Sequence, residues 1–316
     1  MAETYHQLEI ELTHAVLAVY AFATVGYLLN VFFRARWLGT LSTIVGWAGL
    51  AAHTGAIVFR SLALGRPPFT TGYDFALCFM WGIVAAYLVA EIFIKRSARA
   101  EIAEGGGAGS EVPNEAAEGE PRKAYTYARG QLIGAFVFPA ACVLWGYAFH
   151  TFGTGLDPEL MPALKNRFWL YTHVATAILA YGVLFTSFVT AAMYLLRRWA
   201  DGREWPSWQS VLPSQEWLDR ATYAVIAFAF PFLTLVIITG AVWANVAWSR
   251  PWGWDPKETG SLIAWLLYLA FLHARLRYGW RGVRTAVFAI VGFSAIIFCW
   301  AGVNYLPGLH SYGAPK

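Results

Sequence analysis

The sequence predicts an all-α polytopic membrane protein with about eight transmembrane helices and both termini on the extracytoplasmic side. Three observations carry that expectation. Of the 316 residues, 58% are hydrophobic and only 13% charged, where a soluble domain carries roughly 25% charged residues. Mean hydropathy is +0.47, and several apolar runs reach the ~20 residues that cross a bilayer as helix. Those runs are continuous rather than alternating, which favours helices over barrel strands.

Spans are expected near 10–33, 38–60, 74–94, 129–150, 168–196, 218–243, 259–278 and 284–304, with charge marking their ends. Arg34 and Arg36 separate the first two. Arg60 and Arg66 follow the second, Lys95, Arg96 and Arg99 the third. Arg129 opens the fourth, and Lys165 and Arg167 precede the fifth, which runs out at Arg197 and Arg198. Arg220 lies at the start of the sixth and Arg250 beyond its end. Lys257 precedes the seventh, Arg275 and Arg277 close it, and Arg284 opens the eighth. With the N-terminus outside, sixteen of the 23 Lys and Arg residues fall on the inner side and seven on the outer. The positive-inside bias therefore puts both termini and the loop before the seventh helix outside a cell membrane.

The domain plan follows from composition. Residues 1–96 form a three-helix transmembrane segment. Residues 97–124, "SARAEIAEGGGAGSEVPNEAAEGEPRKA", are rich in Gly, Ala and Glu and are expected to be a disordered cytoplasmic linker. Residues 125–316 hold the other five helices and a tryptophan-rich external loop at 244–258. The N-terminus, "MAETYHQLEIELTH", is acidic and does not read as a cleaved signal peptide. A net charge of +4 leaves no basic footprint, so no nucleic-acid partner is expected and membrane lipid is. Cys78, Cys142 and Cys299 each lie in an apolar run without a CxxC, and are expected to be free thiols.

The loop "AWSRPWGWDPKETG" places Trp248, Trp252 and Trp254 within seven residues. Trp252 and Trp254 are two apart, so an extended segment would turn both indoles to one side as a shelf for a flat ligand. Arg250 or Lys257 can meet an anionic group on that ligand. Asp255, Pro256 and Glu258 also fit an ordinary helix start, with Asp as N-cap, Pro first and Glu third.

Histidine supplies the imidazole that holds haem iron and other metals. Of seven histidines, His173 in "RFWLYTHVATAILAYG" and His310 in "NYLPGLHSYG" share the side of the tryptophan loop. Two imidazoles there can hold one iron from opposite faces. His273, in "LAFLHARLR", lies about fifteen residues beyond Glu258, or ~22 Å deeper, towards the cytoplasmic end. Intramembrane ionisable groups are functional candidates by default. His53 lies ~22 Å from the inner end of the second span, at a different depth. Either that helix is shifted or His273 finds its partner in another protein, and the second is expected. His6, His14, His53 and His150 are expected to be packed or solvated.

With "AWSRPWGWDPKETGSLIAWLLYLAFLHAR", His173 before it and "GLHSYG" after it, the chain resembles the tryptophan-rich haem-handling superfamily. Within it, the chain is similar to the CcsA/ResC branch of cytochrome c biogenesis proteins, labelled CcsB in some bacteria. The resemblance covers nearly the whole chain. "RSLALGRPPFTTGYDF" at 60–75 is similar to the family's loop after the second helix, which usually ends Tyr-Glu where this chain has Tyr73-Asp74. The resemblance implies that haem b is received from the cytoplasmic side and presented outside for attachment to the CxxCH cysteines of apocytochrome c. It implies His173 and His310 as axial ligands of an outer haem, residues 248–258 with Asp255 and Glu258 as its cradle, and His273 as a ligand within the membrane. It also implies a ResB-like partner with a large external domain, able to supply the missing imidazole, the pair acting as a cytochrome c synthase. The alternative is a haem transporter or exporter with no direct part in attachment.

Overall fold

The computed structural model describes residues 1–33, 35–103, 122–156, 164, 167–203, 212–306 and 308. Among them are eight long helices, each long and apolar enough to cross a membrane. They are α1 (Ala2–Phe33), α2 (Arg36–Leu64), α3 (Gly72–Ala103), α4 (Arg122–Phe152), α5 (Arg167–Asp201), α6 (Gln215–Trp248), α7 (Pro256–Tyr278) and α8 (Val283–Trp300). A 3₁₀ turn follows at Gly302–Tyr305. The predicted all-α class and the eight spans are what the structure contains.

Each helix has a local cause. Gly65 ends α2 in the left-handed conformation at φ 63°, and Gly279 ends α7 in the same way; glycine adopts that conformation without a Cβ penalty. The Ser214 side chain accepts the Trp217 N–H and so caps α6. Hydroxyls along the spans return to their own helices: Thr24 bonds the Tyr20 carbonyl, Thr54 that of Leu50 and the buried Thr222 that of Leu218. A polar side chain satisfied within its own turn can sit in an apolar medium. Phe22, Ile44, Val143, Phe228 and Phe298 lie on the outside of the bundle, exposed as lipid-facing side chains are.

The helices pack in two groups. α1 lies on α2 and α4, and α4 on α3. α5 lies on α6 and α8, α8 on α7, and α7 on α6. The groups join where α3 crosses α5. There a Cβ on Gly182 would stand 2.7 Å from the Gly82 backbone, so only glycine permits so close an approach. The sequence assigns α4 to the C-terminal region, yet it packs on α3 and α1. Gly134 makes this possible, since a Cβ there would meet the Tyr87 and Tyr27 rings.

Helix also reaches into both ends of the predicted linker 97–124. α3 continues to Ala103 and α4 begins at Arg122, because Ala, Arg and Glu in "SARAEIA" are strong helix formers. The middle of that segment lies outside the described residues. The three cysteines are free, with Cys78 and Cys299 buried, as expected.

Candidate functional site

Alternating helix direction brings the start of α3, the start of α5, the end of α6, the start of α7 and the end of α8 to one face of the bundle. Between them lies a cleft of about 1210 Å³, its open mouth included. Its walls carry Phe75, His173, Tyr181, Trp243, Trp252, Lys257, Glu258 and Trp300 among others. A mostly apolar concavity with a few convergent polar groups is what a small-molecule site requires.

His173, in the second turn of α5, is held in one orientation. Its Nδ1–H donates to the Val236 carbonyl of α6 at 3.0 Å. A carbonyl only accepts, so Nδ1 carries a hydrogen, and Nε2 is the nitrogen through which a neutral imidazole so oriented can ligate a metal. Gly240 of α6 makes the space: a Cβ there would stand 2.9 Å from Cε1 of the imidazole. The Trp243 indole lies parallel to the imidazole within 3°, centroids 6.2 Å apart. Neither Gly240 nor Trp243 was singled out by sequence. The signal available was helical spacing, since Val236, Gly240 and Trp243 are four and three residues apart on one face of α6.

The three loop tryptophans separate. Trp248 is the last residue of α6 rather than part of the loop, and the chain turns only at Ser249, φ 58°. Its ring packs edge-on against Trp243 at 4.8 Å, behind the cleft wall. Trp252 lines the cleft. Trp254 is 70% exposed and its backbone has φ 55°. The extended segment with two indoles facing one way is therefore not what forms. A left-handed residue between Gly253 and Asp255 swings one ring away, and the Trp252 and Trp254 planes stand at 89°.

The expected helix start is present. Asp255 accepts from the Lys257 N–H at 2.9 Å, and Glu258 Oε2 accepts from Gly253 N at 2.7 Å and Asp255 N at 3.2 Å. This capping box fixes the loop on α7. Gly308 approaches it from the far end of the chain: a Cβ there would stand 2.5 Å from an Asp255 carboxylate oxygen. His310 lies outside the described residues.

His273 is apart from the cleft, exposed on the other end of α7 with its ring edge-on to Tyr278 at 5.5 Å. His53 is buried in the first helix group, its Nδ1 3.1 Å from the Tyr20 hydroxyl. α2 begins at Arg36, close to the expected start, so it is not shifted and the two histidines do not meet.

The fold and cleft define a polytopic membrane protein with an open, mostly apolar cleft at one end of its bundle. A family model described as cytochrome C assembly protein matches residues 124–310. Cytochrome c biogenesis protein CcsA of Gloeobacter violaceus is 29% identical, over 97% of this chain and 96% of that protein. CcsA of Thermosynechococcus vestitus is 32% identical, over 86% and 88%. Among solved structures, cytochrome c haem lyase CcmF superposes with a TM-score of 0.62 at 17% identity, covering 94% of this chain and 46% of that one, a likeness of fold alone. The chain belongs to the cytochrome c assembly protein family and is of the CcsA type.

Proposed function

We propose that this protein, in its part of cytochrome c maturation, binds haem b in the cleft. It then presents the haem at the outer face of the cell membrane for thioether attachment to the CxxCH cysteines of apocytochrome c. The observation that carries the proposal is His173, an imidazole with its tautomer fixed by Val236, lining an apolar cleft beside Trp243 and Trp252. Such a group offers Nε2 to an iron and aromatic surface to a porphyrin.

His310 would be a second imidazole able to hold the iron, following two residues after Gly308, which lies against Asp255. Asp255 and Glu258 act through the capping box, which holds Trp252 at the cleft. The chain's own contribution to attachment is proximity and orientation of haem against the client's thiols. His273, exposed on α7, suits an inner haem site completed by an imidazole of a ResB-like partner.

Absorption spectra of the protein purified with its partner test this reading. Wild type should show low-spin haem. His173→Ala and His310→Ala should each lose that band and recover it with added imidazole. An unchanged spectrum in both removes the ligand assignment. Co-expression of the pair in a host lacking other maturation systems should yield covalent cytochrome c; haem movement without attachment would favour a transporter.

A further inference from the structure

We propose that the Lys257 ammonium is the seat of a carboxylate on the cleft's ligand, here a haem propionate, and so sets which edge of the flat ligand faces the start of α7. The proposal rests on the haem reading above and adds a specificity residue to it.

Two cations near the loop suit such a role by sequence, and the fold separates them. Arg250 is exposed and folds back on its own loop, its guanidinium 2.9 Å from where a Gly253 Cβ would stand. Lys257 lines the cleft. Among the described residues its ammonium makes no hydrogen bond or close ion pair, and only the Asp255 carboxylate and Cys299 thiol act on it electrostatically. Its backbone is pinned: the N–H donates to Asp255 and the carbonyl accepts from the Cys299 thiol at 3.3 Å. The ammonium thus projects from a fixed point on the wall.

The charge around it leaves one role open. The Asp255 carboxylate and the Cys299 thiol act on the ammonium from a distance, Asp255 being engaged as the α7 cap; the carboxylate lining the cleft itself is Glu258, which is engaged by two loop N–H groups. Lys257 is half-buried in the wall, so any hydration of its charge comes from water in the open cleft. A flat apolar ligand closing the cleft displaces that water and leaves a cation in an apolar wall, which is unfavourable unless the ligand brings an anion. A carboxylate provides it through a charge-assisted hydrogen bond. His173 and Lys257 stand on different helices, so iron and carboxylate are fixed at two points.

Titration of the protein–partner complex, stripped of haem, with haem and with haem dimethyl ester tests this. Wild type should bind haem at least about tenfold more tightly than the ester, the scale of one charge-assisted hydrogen bond. Lys257→Gln should lose that preference while keeping the low-spin band, and Lys257→Arg should retain much of it. An unchanged haem-to-ester ratio in Lys257→Gln, with the band intact, overturns the Lys257 assignment alone. A wild type that shows no band sensitive to His173→Ala overturns the haem reading and this proposal together. Matching thermal unfolding of Lys257→Gln and wild type confirms that the variant is folded.

Discussion

Arg60 and Lys257 are both cations at helix ends on the same face of the bundle, and their surroundings are opposite. Arg60 is wholly buried and enclosed by partners. Its Nε donates to Asp74 at 2.9 Å, and its terminal nitrogens donate to the Thr154 and Gly155 carbonyls at 2.7 and 3.0 Å. Glu9 approaches to 3.8 Å, and the guanidinium lies over the Tyr73 ring, whose hydroxyl donates to Glu9 at 2.6 Å. Three helices, α1, α2 and α3, and the segment after α4 are thereby tied at one point. Lys257 lines an open cleft and, among the described residues, its ammonium makes no hydrogen bond or close ion pair. The difference separates a charge that holds the fold from one that, on the proposal above, is left to a ligand. It also gives Asp74 a clear structural role.

The comparison breaks most readily at Arg60. Arg60→Ala would leave Glu9 and Asp74 buried without their cation, and such a loss costs about 3–5 kcal/mol. Thermal unfolding in detergent should show a large drop, against none for Lys257→Gln; equal melting of the two variants would sink the distinction. Next in size is the joint between the helix groups. Gly182→Val forces a side chain into the Gly82 backbone and should destabilise by about 1–3 kcal/mol or more, read by the same unfolding measurement.

Gly240→Ala sharpens the site side of the comparison. Its methyl crowds the His173 ring, so the bound-haem spectrum should leave its low-spin form while the melting point moves little; an unaltered spectrum means the imidazole has room to spare. The smallest effects are expected at the loop. Trp254→Ala removes an exposed indole and should change stability by no more than about 0.5 kcal/mol. Haem affinity should survive it but fall in Trp252→Ala, and the reverse order would return Trp254 to the cleft.

Much of this was legible along the chain. Apolar runs marked all eight spans because lipid demands continuous helix. Asp255-Pro256-Lys257-Glu258 announced its own capping box, since the bonds are made within five residues. The resemblance of the tryptophan-rich segment pointed to the family that residues 124–310 match. Orientation of the indoles was not legible. Whether Trp254 takes an extended or a left-handed backbone depends on how Glu258 gathers the Gly253 and Asp255 N–H groups.

By itself the sequence determined the elements whose causes are local: the spans, their caps and the helix start at Asp255. Only the tertiary structure decided that Val236 and Gly240 would shape the setting of His173, that Arg60 would be enclosed and that Lys257 would face the cleft. Those outcomes depend on contacts between helices far apart in the chain, and a side chain carries no record in its own neighbourhood of which distant helix it will meet.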